Sequence, residues 1–201
     1  MPIIPEDHAR IADAIRAAEQ NTSGEIVCVL ARSSSEYYSV PALAGAVLAL
    51  IVPWAFVFLT PWSVERILLA QLFLFVLATA ICALTPLGMA LVPRRIKRVR
   101  AHRAAMEQFH ARGLGRLESR AGVLIYVSLA ERYARIVVDD HLAAKIPASE
   151  WRTAVDALIA HIKDGRIADG FVAAIARCGS VLAEHVPGAH TGKLPDRIYV
   201  M

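Results

Sequence analysis

Charge is missing from two long stretches of this 201-residue chain, Tyr37–Val64 and Ile67–Pro93. With 56% hydrophobic residues and a mean hydropathy of +0.46, the composition excludes a disordered chain and a purely soluble enzyme. Cysteine is scarce. Cys28, Cys82 and Cys178 form no CxxC pair, which argues against a disulfide scaffold and fits a reducing compartment, with all three read as small apolar side chains. The sequence has no HExxH, GxSxG, GxGxxG or GxxxxGK[ST], so the common zinc-protease, serine-hydrolase and nucleotide-binding signatures are absent. Ser128 lies in an apolar run with no nucleophile elbow around it. The opening MPIIPEDHAR lacks the basic start and apolar core of a signal peptide. No repeat or low-complexity tract occurs.

What is present is a pair of apolar runs. Val40–Thr60 and Ile67–Val92 each supply the roughly 20 apolar residues that a span requires, and each stays apolar on every face, unlike a surface helix. Pro53 and Pro86 fit membrane helices, which tolerate proline. Trp54 and Trp62 suit an interface. Gln71, Thr79 and Thr85 are the polar candidates within the runs, and hydrogen bonding between helices accounts for them. The short link Pro61–Arg66 makes the two runs a hairpin, so both flanks lie on one side.

The formal net charge is +4, and it is concentrated. Arg94, Arg95, Lys97, Arg98, Arg100 and Arg103 follow the second apolar run with no acid among them. A basic segment beside a span suits anionic headgroups, whereas a nucleic-acid domain spreads its cations over a folded face. No nucleic-acid partner is expected. Only Arg66 is basic at the hairpin tip. The positive-inside rule therefore places both termini and the soluble part in the cytoplasm, at a cytoplasmic (inner) membrane crossed twice.

The soluble part is split by the hairpin. Residues 1–36 form its first part, 37–93 the transmembrane hairpin, and 94–201 the basic juxtamembrane helix with the second part. Ile4, Ile11, Ile15 and Ala18 mark a helix within Pro5–Asn21, and Glu25–Ala31 reads as a buried strand. Arg94–Arg112 reads as a helix burying Ile96, Val99, Met106 and Phe109. Gly122–Leu129 and Tyr133–Asp139 are strands whose three-residue link makes an antiparallel hairpin. Ser149 is positioned to cap a helix over Glu150–Lys163, and a further helix covers Ile167–His185. Arg197–Val200 reads as a short edge strand. The order is a mixed sheet covered by helices, an α/β sandwich.

Candidate chemistry is thin. Asp139 and Asp140 end an apolar strand, where carboxylates hold Mg or Ca or simply cap the next turn. Glu131 and Arg132 sit at the hairpin tip, about 20 Å from Asp139 along the strand, where they bind a partner or a phosphate or, more commonly, form an exposed charged turn. His185 and His190 read as loop histidines beside Pro187-Gly188.

The segments TSGEIVCVLA, GLGRLESRAGVLIYVSLAERYARIVVDDHLAAKI, a Trp-led helix, LAEHVP and KLPDRI together resemble the TPM domain family. Its name comes from a thylakoid-lumen phosphatase-like protein, a photosystem II assembly protein and a nematode receptor modulator. The resemblance covers about residues 8–30 and 106–198 and points to a bacterial membrane-anchored subgroup. It implies a three-layer α/β sandwich with a central mixed sheet. It also implies acid phosphatase activity or calcium binding through acidic loop residues in some relatives, and assembly or modulation in others. Asp139 matches the aspartate of the family's strand-end motif. His141 replaces an expected glycine, Val186 an expected phenylalanine, and Gly192-Lys193 an expected Asn-Glu. Two functions are therefore expected in turn. The first is a non-catalytic anchored module that binds anionic lipid and another membrane protein. The second is a metal-assisted phosphatase with Asp139 and Asp140 on the cation.

Overall fold

A computed structural model describes residues 4–34, 39–85, 90, 92–188 and 194–201. Tyr37-Tyr38, Pro86, His190 and Gly192-Lys193 lie outside them. The chain divides into two compact units, Met1–Ser34 with Arg98–Met201, and Ser35–Lys97.

The first unit is a four-stranded mixed sheet between helices. Its strands are β1 (Glu25–Ala31), β2 (Gly122–Ser128), β3 (Tyr133–Val138) and β4 (Ile198–Val200), in spatial order β3-β2-β1-β4. β1 pairs in parallel with β2 from Glu25↔Gly122 to Ala31↔Ser128, and with β4 through Cys28↔Ile198. β3 runs antiparallel to β2, with Ser128 opposite Tyr133. The expected strands, the antiparallel hairpin and the C-terminal edge strand are all present.

Every residue of β1 and β2 is buried, because helices cover both faces. Ile26, Cys28 and Leu30 of β1, with Val123, Ile125 and Val127 of β2, point to one core. That core is built by α1 (Pro5–Glu19), α6 (Ala148–Lys163) and α7 (Ile167–His185). Val27, Val29 and Ala31, with Leu124 and Tyr126, point the other way. They meet Ala105 and Phe109 of α4 (Arg94–Ala111) and Leu114 of the 3-10 turn Leu114–Arg116. Period-two alternation thus feeds two cores, and so the strands read as continuous apolar runs. Cys28 and Cys178 are buried in the first core as free thiols. Burial pushes both thiols up, Cys178 to about 12, which leaves them unreactive.

The turn before β1 is tied to the end of α7. Thr22 Oγ1 donates to the Val186 carbonyl at 2.7 Å and accepts from Gly24 N–H at 3.1 Å. A Cβ on Gly24 would stand 3.0 Å from Leu182 and 3.2 Å from the Ala121 carbonyl, so side-chain-free backbone is needed there. The distant segments TSGE and LAEHVP therefore form one structural joint.

Several local expectations change. α6 begins at Ala148 after Pro147, and Ser149 lies inside it rather than capping it; Pro147 fixes the extended entry instead. On α4 the buried residues are Ala101, Ala105 and Phe109, whereas Ile96 and Val99 are 44% and 63% exposed. The apolar face there is built from alanines, whose small size lets the helix lie close to the sheet. A short helix, α5 (Asp140–Lys145), occupies the strand exit.

The second unit is a pair of packed helices, α2 (Ser39–Leu59) and α3 (Val64–Leu84). α3 begins before the expected run, taking in Glu65 and Arg66; Arg66 and Ile67 N–H donate to the Ser63 carbonyl, and Glu65 favours the positive helix start. Val64–Leu84 is long and apolar enough to cross a membrane, with a mean hydropathy of 2.6 in its most apolar window. The apolar stretch described in α2, Gly45–Leu59, is shorter. A Cβ on Gly45 would collide with Thr79 Oγ1 and stand 3.2 Å from the Phe75 carbonyl. Gly45 thus brings the two backbones together, as small residues do between apolar helices. Thr79 Oγ1 is buried without a hydrogen-bond partner among the described residues. Thr85 Oγ1 donates within its own helix, to the Ile81 carbonyl at 2.5 Å. These two threonines thus make no hydrogen bond between the helices.

Candidate functional site

Three places in the structure bear on function: the exit of β3, the other end of the β2–β3 hairpin, and α4.

At the exit of β3, Asp139 is the N-cap of α5. Its Oδ1 accepts from His141 N–H at 2.9 Å, satisfying a helix-start donor. Asp140 is exposed in the first turn of α5. Calcium takes six to eight oxygen ligands. Among the described residues no group of three or more His, Cys, Asp or Glu side chains is placed to hold a metal ion. Asp139 and Asp140 therefore have no third His, Cys, Asp or Glu side chain placed with them among the described residues. Asp196 is at the same end of the sheet but on the opposite edge, beside β4. Three strand spacings separate the two positions, about 14 Å.

Asp196 sits instead near Glu19, the last residue of α1. Glu19 is 1% exposed, and its Oε1 accepts from Ile26 N–H at 2.6 Å. Burial pushes its carboxyl up to about 8, and the charges of Glu25 and Asp196 act in the same direction.

The opposite end of the hairpin holds the structure's main polar cluster, and it corrects the reading of Glu131 as an exposed turn residue. Glu131 is 7% exposed. Its Oε1 accepts from Ser34 N–H at 2.9 Å and from Ser33 Oγ at 3.2 Å. Its Oε2 accepts from Ser128 Oγ. Ser34 Oγ is 2.9 Å from the Tyr126 hydroxyl, and burial pushes that phenol up. The cluster lies at the carboxyl ends of β1 and β2, where open α/β sheets place ligands. Here it also fixes Ser33-Ser34, where the chain leaves the first unit. Sequence reasoning missed it because its members are about a hundred positions apart, and only the β1–β2 pairing joins them. The Glu131→Ala change leaves three donors without their acceptor. It is expected to destabilise the first unit by about 2–3 kcal/mol. Hydrogen exchange of β1 and β2 amides measures this, and a change under 0.5 kcal/mol would reject the anchoring role.

On α4, Arg94, Arg95, Arg98 and Arg103 are exposed, and Lys97 and Arg100 are partly so. Arg103 pairs with Glu107 at 3.1 Å, an i,i+4 contact of small worth. Exposed Ile96 and Val99 are interspersed with these cations. The helix therefore offers charge with scattered apolar side chains.

The sandwich, whose sequence is split after β1 by the helix pair, can be compared with known proteins. Residues 89–181 match the family model of the TPM domain. The TPM match takes in α4 through most of α7, whereas α1 and β1 lie outside it, before the helix pair in the sequence. A solved structure is also similar, the NMR structure of the BA42 protein from the psychrophilic bacterium Bizionia argentinensis. It is 22% identical with a TM-score of 0.63, and the comparison covers 100% of this chain and 97% of that one. That likeness concerns the fold. No curated protein matches the chain.

Proposed function

We propose that the chain is a TPM protein anchored in a bacterial cytoplasmic membrane, acting as an interaction or assembly module without catalysis. In this reading α2 and α3 cross the bilayer as a hairpin, and both termini and the sandwich lie in the cytoplasm. α4 rests on anionic headgroups through Arg94, Arg95, Lys97, Arg98, Arg100 and Arg103. The sandwich then presents its surface to another membrane protein.

The observation that carries this reading is the exterior of α3. Leu68, Leu69, Leu72, Phe73 and Val76 are each more than half exposed. They stand on an apolar helix only 11% buried over its most apolar window. A soluble protein would cover such a surface, and lipid covers it at no polar cost. The six cations downstream supply the orientation signal. Engagement of Asp139 as a helix cap favours the module over a metal-assisted phosphatase at that position.

Fusing a fluorescent protein to the C-terminus tests the topology. The expected result is a fluorescent fusion, retained in membranes through alkaline carbonate extraction. Changing all six cations to Gln is expected to flip part of the population and cut fluorescence per fusion molecule by half or more. Release by carbonate, or a dark parent fusion, would overturn the anchored cytoplasmic reading.

A further inference from the structure

The first unit carries a cleft beside the hairpin tip. It has a volume of about 520 Å³, within the range of about 300–1,000 Å³ usual for small-molecule sites. Its apolar wall comes from Val127 and Leu129 at the end of β2, Ala134 of β3, and Ile159 and Ile162 of α6. Arg132 and Lys163 stand on it as cations, and none of its lining residues is acidic. Neither cation makes an ion pair among the described residues. Glu131, the acid next to Arg132, is committed to Ser33, Ser34 and Ser128.

The backbone at Arg132 adds a second observation. Arg132 has φ +50°, a left-handed conformation that costs an L-residue roughly 1–2 kcal/mol and that glycine adopts readily. Gly or Asn is the usual residue in such a turn; Arg120, outside the cleft, shares the conformation at φ +47°. Such strain concentrates where a side chain serves a ligand. The occupant's chemistry follows from the lining: an apolar body for the wall, and an oxyanion for a planar guanidinium fork and an ammonium.

We propose that this cleft binds a small amphiphilic anion, its apolar body against Ile159, Ile162 and Leu129 and its oxyanion head between Arg132 and Lys163. The ligand comes either from solution, as a free organic acid, or from a bilayer, as a fatty acid. The site lies wholly in the first unit and does not depend on the membrane reading above.

The test uses the full chain in nanodiscs of zwitterionic lipid, with isoleucine methyl groups labelled for NMR. The probes are 4-phenylbutyrate, the uncharged 4-phenylbutanol, acetate, and oleate in the disc. The phenyl ring is expected to shift the Ile159 and Ile162 methyl signals, with 4-phenylbutyrate binding at least tenfold tighter than 4-phenylbutanol and acetate producing no shift. Shifts with oleate alone would support the site and assign its ligand to the bilayer. Lys163→Gln is expected to weaken binding about fivefold, as loss of one exposed charge contact does. Arg132→Gly is expected to weaken binding similarly while raising the stability of the hairpin, because the strained turn relaxes. The stability gain shows that loss of binding is not loss of fold. Equal binding of acid and alcohol, full binding in both variants, or no shift with any probe would overturn the proposal.

Discussion

Replacing Gly179 by alanine is expected to destabilise the first unit, although the same change raises stability by about 1 kcal/mol in an exposed helix interior. The sign reverses because α7 crosses α1 at this residue. A Cβ on Gly179 would lie 2.6 Å from Ala18 Cβ, 3.0 Å from Ala18 Cα and 3.2 Å from its carbonyl oxygen. Two of those atoms are backbone, so no rotamer change relieves the clash, and the helices must separate. Separation opens the core at Ile11, Ile15, Ile175 and Cys178, all fully buried. Overpacking of this kind costs about 1–3 kcal/mol. Gly179→Ala is expected at the lower part of that range and Gly179→Val at about 3 kcal/mol or above. Hydrogen exchange of β1 and β2 amides reads the first unit without relying on two-state unfolding of the whole chain. Pairing Gly179→Ala with Ala18→Gly removes the nearer clashing atom. The double variant should recover about 1 kcal/mol beyond additivity. Additive effects, or a stabilising Gly179→Ala, would show that the helices are not held at this distance.

The second large effect is a pH dependence centred on Glu19. Its carboxyl is raised from an ordinary value near 4.5 to about 8, so the folded chain holds a proton that the unfolded chain releases. Stability from this group is complete below pH 4.5 and falls as pH rises toward 8. The limiting slope is about 1.4 kcal/mol per pH unit, and above pH 8 the contribution is gone. Burial is the main cause, and the acids Glu25 and Asp196 add to it. Gln mimics the protonated form and keeps the carbonyl that accepts from Ile26 N–H. Glu19→Gln should therefore match the parent near pH 5 and exceed it near pH 8. The measurement is the difference in β1 amide protection between the two proteins across that interval. A flat difference, or one of opposite sign, would show that Glu19 is charged in the folded protein.

Both effects arise at the joint between α1, α7 and the start of β1, and that joint shows how much could be read along the chain. The strands of the sheet were legible because Val, Ile and Leu run without interruption in β1 and β2, and only burial on both faces permits such runs. The β2–β3 hairpin was legible because Ala130-Glu131-Arg132 is too short to cross the sheet. The exposed side of α4 was not. Ile96, Val99, Met106 and Phe109 suggested its buried face; Phe109 and in part Met106 do pack on the core, but Ala101 and Ala105 rather than Ile96 and Val99 complete the contact. Close approach to the sheet favours alanine over a longer side chain, and sequence periodicity does not measure that distance.

The candidate site was legible only in part. Asp139 and Asp140 stood out because paired acids at a strand end are conspicuous. The structure shows one of them capping α5, and it separates both from Asp196 by the width of the sheet. Glu131 did not stand out, because an acid in a three-residue turn is ordinarily solvated. Its burial depends on Ser33 and Ser34 arriving from the far end of the sequence. Arg132 and Lys163 meet on one cleft because α6 packs against the hairpin, and neither position carries a motif.

Two things were therefore determined along the chain itself. They are the uninterrupted apolar runs that make a helix-covered sheet, and the clustering of cations after a charge-free stretch. Both are local, since hydrophobic periodicity and charge density act between near neighbours. Tertiary structure decided which polar groups come together: Glu19 with Asp196, Glu131 with Ser33, Ser34 and Ser128, and Arg132 and Lys163 on the lining of one cleft. Those meetings depend on strand order and helix docking, which bring together residues whose partners no short-range pattern can specify.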